Sequence, residues 1–546
     1  MNILKSHTIE PSGPCPSITG RERIAKQFAG YLSDESRTTA EGIETIYFPE
    51  CLAHVVAAVN ECREAGRKVT VAGARTGIVG GAVPLEADAV IALEKLSRVK
   101  SIRWDDALKA FTTEVEAGVI LEDFQEALRV TPPHELPWMN EESRRVGECM
   151  LGENGRKLFY PVDPTETSAQ VGGTVATNAS GARTFHYGAT REWVGGLTVV
   201  LSGGEVVHLR RGECRAEDGK IRLVPEQGEE RVIDIPPLEL PETKHTAGYY
   251  LNSGDGGCVD AVDLFIGSEG TLGVIAEVEL KLTFEPPERM YVTAFLPDEK
   301  RAVEFVEGIR TACYCTPLAI EYIGPNAMRL LREKRKEEGK SSGVPALPDD
   351  AFCSVYVELS FDGDGEFRRC YKLLEGELQR CGAGPEHTWA GCSSEQLRIM
   401  KEFRHAVPEK VNSIIGMRKR KVPSIHKIGT DMAVPDEHLE DVMSLYRRKL
   451  EELGLEYLIF GHIGDNHLHV NILPRSKGEV DQAMDTYSDF AAEVVRMGGS
   501  VSAEHGIGRI KRDFLRVQFG DEEIAAMQEI KRALDPAGIF NPGVLF

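Results

Sequence analysis

Among the twelve cysteines no two are spaced as C-x-x-C; the closest pair is the C-x-C of Cys313 and Cys315. That spacing excludes a zinc ribbon and a cysteine-ligated iron–sulfur cluster, and a disulfide scaffold does not suit a chain of 546 residues. Free thiols in a reducing cytoplasm are the expectation. No apolar run is long enough to span a bilayer. The N-terminus, "MNILKSHTIEPSGPCPS", has neither an apolar core nor a twin arginine, so no secretion signal is expected. A cytoplasmic protein is predicted, with peripheral attachment at the inner face of a membrane left open. Basic excess is missing too. The net charge is −22, which excludes a nucleic-acid partner, because counterion release needs clustered Lys and Arg. The one dense basic run, "RKRK" at 418–421, reads as a solvated loop, with a contact for an acidic redox partner as the lesser alternative.

What is present is an alternation of helical and strand patterns. Apolar residues recur at helical spacing from Leu52 to Val59, and Gly66 ends that helix. "KVTVAG", "ADAVIALEKL" and "KAFTTEVEAGVI" have strand character, and helical spacing returns from Leu121 to Leu128. Residues 131–160 read as an irregular inserted loop or lid, and 210–237 as a charged excursion. The double proline of "FEPPERMYV" marks a domain boundary. Beyond it, two strand-then-helix units suggest an antiparallel sheet covered by helices. "LREKRKEEGKSSGVPALPDD" reads as an exposed linker, and the chain ends in an amphipathic helix and a Pro/Gly-punctuated tail. The class is α+β.

Three glycine-rich turns each lie beside a strand: "VAGARTGIVGGAVP", "PVDPTETSAQVGGTVATNASGART" and "GSEGTLGVI". Neither the P-loop pattern nor G-x-G-x-x-G occurs in them. Small residues at this density let backbone amides approach a ligand, which points to one large anionic cofactor.

The segment "FGHIGDNHLHVNI", 460–472, gathers three histidines. Read as a strand, 467–473 puts His467, His469 and Asn471 on one face and Leu468, Val470 and Ile472 on the other. "GDN" is a turn signal that brings His462 back toward His469. Converging imidazoles suit a divalent metal such as zinc or manganese. "SAEHGIG" offers Glu504 as a third ligand and leaves His505 for proton work.

These glycine loops, with H-x-G-D-x-x-x-H and a downstream E-H-G, resemble the FAD-linked oxidases of the vanillyl-alcohol oxidase, or PCMH-type, superfamily. The resemblance is to the branch of D-lactate dehydrogenases, the glycolate oxidase flavin subunit and D-2-hydroxyglutarate dehydrogenases. It implies a two-subdomain FAD-binding domain at 1–285, a substrate-binding cap with the metal site at 286–505, and a segment, 506–546, returning to the FAD domain. It implies FAD contacts at Ala74, Arg75, Thr76, Gly77, Gly80 and Gly81. In the second loop it implies Pro161, Asp163, Gly172, Gly173, Thr174, Ala176, Asn178, Gly181 and Gly188, and in the third Glu269, Gly270, Gly273 and Ile275. His186 matches no attachment motif, so the FAD is expected to be non-covalent. His462, His469 and Glu504 match the metal ligands and His505 the base. Arg404, Lys427 and Asn471 match substrate contacts. His467 departs from the family pattern, leaving open a further ligand or a substrate contact.

The implied reaction is oxidation of a D-2-hydroxy acid. The acid chelates the metal, His505 removes the hydroxyl proton, and the α-hydrogen leaves as hydride to flavin N5. "TDMAVP" favours D-lactate. Glycolate and D-2-hydroxyglutarate stay open, and for a longer acid Arg144 or Arg145 offers a further cation. The alternative of another class is a flavin subunit that relays electrons without a substrate; an ether-lipid transferase ranks below it. The electron acceptor is expected to be separate: a quinone, an electron-transfer flavoprotein, a cytochrome or an iron–sulfur subunit.

Overall fold

The computed structural model describes residues 13–151, 156–251, 259–311 and 316–546. The first helix of the sequence pattern runs Leu52–Glu64 and buries His54, Val55, Ala58, Val59 and Cys62. Those positions form one helical stripe. It packs over a four-stranded sheet ordered Ser17–Thr19, Thr45–Tyr47, Ala89–Ala92, Val69–Ala72, whose last three strands are parallel. Near its C-terminus the chain returns to this sheet: Val69 N donates to Ile539 O, and Asn541 N donates to Val69 O.

A second, antiparallel sheet is ordered Val99–Asp105, Ala110–Glu116, Val274–Phe284, Val194–Val200, Val206–Arg210, with Leu158–Phe159 pairing at the end of the long central strand. The helix Leu121–Val130 buries Leu121, Phe124, Ala127 and Leu128.

After the double proline comes an eight-stranded antiparallel sheet. Its order is Thr388–Gly391, Glu288–Leu296, Cys353–Phe361, Thr316–Ile323, Tyr457–His462, His467–Ile472, Ile428–Gly429, with Met432–Ala433 also on His467–Ile472. Helices Glu299–Arg310, Pro325–Glu338, Gly363–Arg380 and Ser394–Lys421 pack on it. The α+β architecture is the expected one.

Four local expectations change. Within 131–160 a helix, Glu141–Leu151, forms because Asn140 Oδ1 accepts from Ser143 N and acidic residues occupy the first turn. The "linker" begins inside the helix Pro325–Glu338, where Leu331 is buried. The "RKRK" run is the last turn of Ser394–Lys421, where cations complement the helix dipole. Its Arg418 ties that end to Glu456 and to the Leu473 carbonyl. Cys370 is disulfide-bonded rather than a free thiol. Cys313 and Cys315 lie outside the described residues.

One buried ion pair joins the second glycine loop to the large sheet. Arg183 donates through Nη2 and Nε to the two carboxylate oxygens of Glu358, at 2.9 and 3.2 Å. Their side chains are 12% and 4% exposed. Glu358→Ala leaves that guanidinium buried without its partner, and the expected cost is about 3–5 kcal/mol of unfolding free energy in urea. A loss below about 1 kcal/mol, typical of an exposed pair, would show that the pair does not join the two parts.

Candidate metal and flavin site

The hairpin Tyr457–His462 to His467–Ile472 forms as the alternation predicts. Asn466 takes the left-handed conformation at the turn, with φ 51°. Its amide donates to Asp436 at 2.6 Å and its carbonyl accepts from Arg310 at 2.5 Å. The register sets His462 opposite His467 and Phe460 opposite His469. Gly461 permits this: a Cβ there would stand 2.9 Å from the His469 ring.

Glu504 lies at the centre. Its Oε2 is 3.4 Å from His462 Nε2 and 3.8 Å from His467 Nδ1. Its Oε1 is 3.3 Å from His469 Nε2 and 3.4 Å from His505 Nε2. The ring nitrogens of the three hairpin histidines and the Glu504 carboxylate all fall within 4.8 Å of one another. On the outer side, His462 Nδ1 is 2.5 Å from Glu321 Oε1 and His469 Nδ1 is 3.3 Å from the Thr430 carbonyl. An outer acceptor that sets ring orientation is the usual support of a metal-ligating imidazole. His467 is fully buried, and neither of its ring nitrogens makes an aligned hydrogen bond among the described residues. A bare buried nitrogen facing a carboxylate and two imidazoles fits a cation between them.

Burial disfavours charge on Glu504, yet Lys244, His462 and His467 hold its carboxyl well below the usual range. Lys244 Nζ donates to Glu504 Oε2 at 3.0 Å. His462 is also buried, but Glu321 and Glu504 raise it to about 10. Burial pushes His467 down to about 3.

His505 is the most exposed imidazole of the group, at 27%, and stacks on His469 with ring centres 5.6 Å apart. Its Nδ1 is 3.4 Å from Asp431 Oδ1. Asp431, fully buried, also accepts from Glu504 N, His505 N, Ser502 Oγ and Lys511 Nζ. Burial opposes its ionisation, but His505 and Lys511 hold its carboxyl well below the usual range. Asp431, Glu321 and Lys244 were not singled out by the sequence pattern. A lone acid within apolar "PLAIEYI" was the available signal for Glu321.

Arg404 projects from the helix Ser394–Lys421, with Nη1 3.5 Å from Glu321 Oε2. Burial disfavours its charge, but Glu321 and Tyr356 keep it firmly cationic. Asn471 is buried in register with Gly429. Lys427 is accessible to solvent and makes no ion pair with the cluster among the described residues. Partial desolvation and Arg37 push its ammonium down. Arg144 donates to the Leu136 and Met139 carbonyls and Arg145 to Glu141, so local partners engage both.

The predicted flavin residues fall into two sets. In the first, backbone packs too closely for a side chain. A Cβ at Gly181 would stand 1.9 Å from Asp163 O, and one at Gly172 2.5 Å from Ala117 Cβ. Gly188, Gly270 and Gly273 are similarly crowded, and Pro161, Thr174 and Ile275 are buried beside them. In the second, the loops face open space. A Cβ at Gly77 or Gly173 would meet nothing within 4 Å. Ala74, Thr76, Gly81, Asp163 and Ala176 are half-buried. Arg75 turns its guanidinium over the Tyr31 ring at 4.2 Å. Gly80 packs near Arg509 and Ser36, and Asn178 Oδ1 accepts from Arg191 N. Near the second loop, Gln170 Oε1 and Ser180 Oγ are buried without a partner among the described residues. Open glycines flanked by unpartnered polar atoms fit a bound flavin nucleotide. His186 is exposed, its ring against Tyr187.

Glu269 stitches these loops to the metal loop. Its carboxylate accepts from Ile507 N and Gly508 N, both at 2.8 Å, and Val79 O accepts from Arg509 N at 2.9 Å.

Such a fold and site define a flavin-dependent oxidoreductase. Residues 43–136 and 153–210 match the FAD binding domain, and 285–545 match the C-terminal domain of FAD linked oxidases. The chain belongs to the FAD-linked oxidase family. It is 28% identical over 521 residues to a D-2-hydroxyglutarate dehydrogenase of Xanthomonas citri pv. viticola, covering 94% of this chain and 92% of that one. It is 26% identical to a D-lactate dehydrogenase of Anaerostipes hadrus, covering 90% and 86%. It is 25% identical to glycolate oxidase subunit GlcD of Bacillus subtilis, covering 100% and 96%. A solved alkyldihydroxyacetonephosphate synthase shares the fold, with a TM-score of 0.56 at 16% identity over 93% of this chain and 77% of that one. No helix of the described residues is long and apolar enough to cross a membrane.

Burial raises the Glu269 carboxyl from its ordinary 4.5 to about 7, against the pull of its two amide donors. Between these values the folded protein binds the extra proton. Its stabilising contribution is therefore complete below the unfolded value and is lost as pH rises through about 7. Between about pH 5 and about pH 8 the wild type should lose up to roughly 3 kcal/mol more than Glu269→Gln, read from urea unfolding. Parallel pH profiles would remove Glu269 from that role.

Proposed function

We propose that the protein oxidises a small D-2-hydroxy acid, D-lactate first, to its 2-oxo acid, using FAD and a divalent metal. The observation that carries this reading is the convergence of His462, His469 and Glu504 beside His505, whose ring is backed by a buried Asp431. A subunit that only relays electrons has no use for such a set.

His462, His469 and Glu504 would hold the ion, and the three glycine loops would hold the flavin. When bound, these groups supply acidification of the substrate hydroxyl and acceptance of two electrons as a hydride. The chain itself binds and moves a proton. Arg404 receives the substrate carboxylate through a charge-assisted contact. His505 takes the hydroxyl proton at Nε2, the nitrogen on the Glu504 side. Asp431 accepts at Nδ1, fixes the tautomer with Nε2 free, and stabilises the imidazolium that results. Asn471, on the face that carries His469, is the proposed further substrate contact, and Lys427 is proposed at the entrance. Arg144 and Arg145 already have local partners, which supports an acid with a single carboxylate. Electrons then pass to a separate acceptor.

Anaerobic flavin bleaching tests the reading. D-Lactate should remove the absorbance near ~450 nm, L-lactate should not, and a metal chelator should abolish the effect. Flavin that stays oxidised with D-lactate, glycolate and D-2-hydroxyglutarate, even after zinc or manganese is added, would sink it. Asp431→Asn should retain FAD but slow bleaching by about 10²–10⁴-fold, the usual contribution of a positioned base. An unchanged rate would remove Asp431 from proton transfer.

A further inference from the structure

We propose that His467 is a direct ligand of the divalent ion, so that the centre holds three imidazoles and one carboxylate. The proposal rests on the metal reading above and deepens it.

A histidine built into a core for structure normally has both ring nitrogens hydrogen-bonded, because an unpaired buried donor or acceptor is costly. His467 has 0% exposure and no aligned hydrogen bond at either nitrogen among the described residues. Its Nδ1 points at the Glu504 carboxylate, 3.8 Å from Oε2. Its ring centre is 4.5 Å from that of His469 and 5.4 Å from that of His462. Its outer nitrogen, Nε2, stands 3.1 Å from Asp431 Oδ1, although out of line for a full hydrogen bond. The same arrangement recurs at His462 and His469: an inner nitrogen toward Glu504 and an outer one beside a protein acceptor. A substrate contact is the other possible role, and burial speaks against it. His469 and His505 are 15% and 27% exposed, whereas His467 lies beneath them at 0%. A third imidazole also shifts the donor set toward zinc or cobalt and away from manganese, which prefers oxygen ligands.

The test uses the full-length, FAD-loaded protein, stripped with a chelator and reloaded with Co²⁺. In the proton spectrum of the cobalt form, three hyperfine-shifted exchangeable imidazole N–H signals are expected; two signals overturn the proposal. In competition titrations, His467→Asn and His467→Gln should each weaken Zn²⁺ binding by about tenfold or more and narrow the preference for Zn²⁺ over Mn²⁺. Wild-type affinity and preference in both variants overturn it. His469→Ala, which removes an already proposed ligand, separates the two readings. If it too binds like wild type, or if the wild type takes up no stoichiometric ion, the metal centre falls and the His467 proposal with it.

Discussion

The site depends on one fully buried carboxylate. Asp431 sits at the end of the large sheet and accepts hydrogen bonds from two backbone amides, a hydroxyl and an ammonium, with two imidazoles beside it. Desolvating a carboxylate is expensive, and only such a complete set of donors offsets the cost. The donors on Glu504 and His505 are main-chain amides. Asp431 therefore holds the loop itself, and the two side chains that converge on the candidate centre are fixed as a consequence.

The same loop is held from its other side by Glu269. Asp431 binds the amides of Glu504 and His505, and Glu269 binds those of Ile507 and Gly508. Val79 then receives Arg509 and Ile510 from the same strap. Seven consecutive glycine-punctuated residues, 504–510, are thus clamped between the large sheet and two of the candidate cofactor loops. A Cβ at Gly508 would stand 2.2 Å from Val79 O, so the strap can lie this close only as glycine. The strap that carries His505 is thus positioned against the candidate flavin loops by two buried carboxylate side chains and one carbonyl, all gripping its main-chain amides.

Much of this was legible because it is periodic or compositional. The alternation from His467 to Ile472, the helical stripe at Leu52 and the three glycine-rich turns all read directly. What escaped is non-local. Asp431 follows a two-residue strand and is separated from Glu504 by most of a helix-containing excursion, so no motif joins them. Lys244 meets Glu504 across 260 positions of sequence. The helix Glu141–Leu151 escaped because it follows Pro132, Pro133 and Pro137 in a polar stretch, and its start signals, the Asn140 cap and the acidic first turn, are short. The glycine loops were legible as loops, but their division of labour was not. Sequence cannot tell Gly181, crowded against Asp163, from Gly173, which faces open space.

Charge balance explains how such a centre survives inside an acidic protein. Three buried carboxylates meet there, and each has its own cation: Lys244 for Glu504, Lys511 for Asp431 and Arg404 for Glu321. Without those partners, like charges a few ångströms apart in a poorly solvated interior would repel or take up protons. The imidazoles share this work: against the cost of burial, Glu321 and Glu504 raise His462, and His505 joins Lys511 in holding Asp431 ionised. The arrangement also ranks the acids by availability. Asp431 is saturated by four donors, and Glu321 is shared between Arg404 and His462. Among the described residues the close donor to Glu504 is Lys244 at 3.0 Å, and the imidazole nitrogens of His462 and His469 stand at 3.4 and 3.3 Å, so its lone pairs face the histidines where a cation would sit.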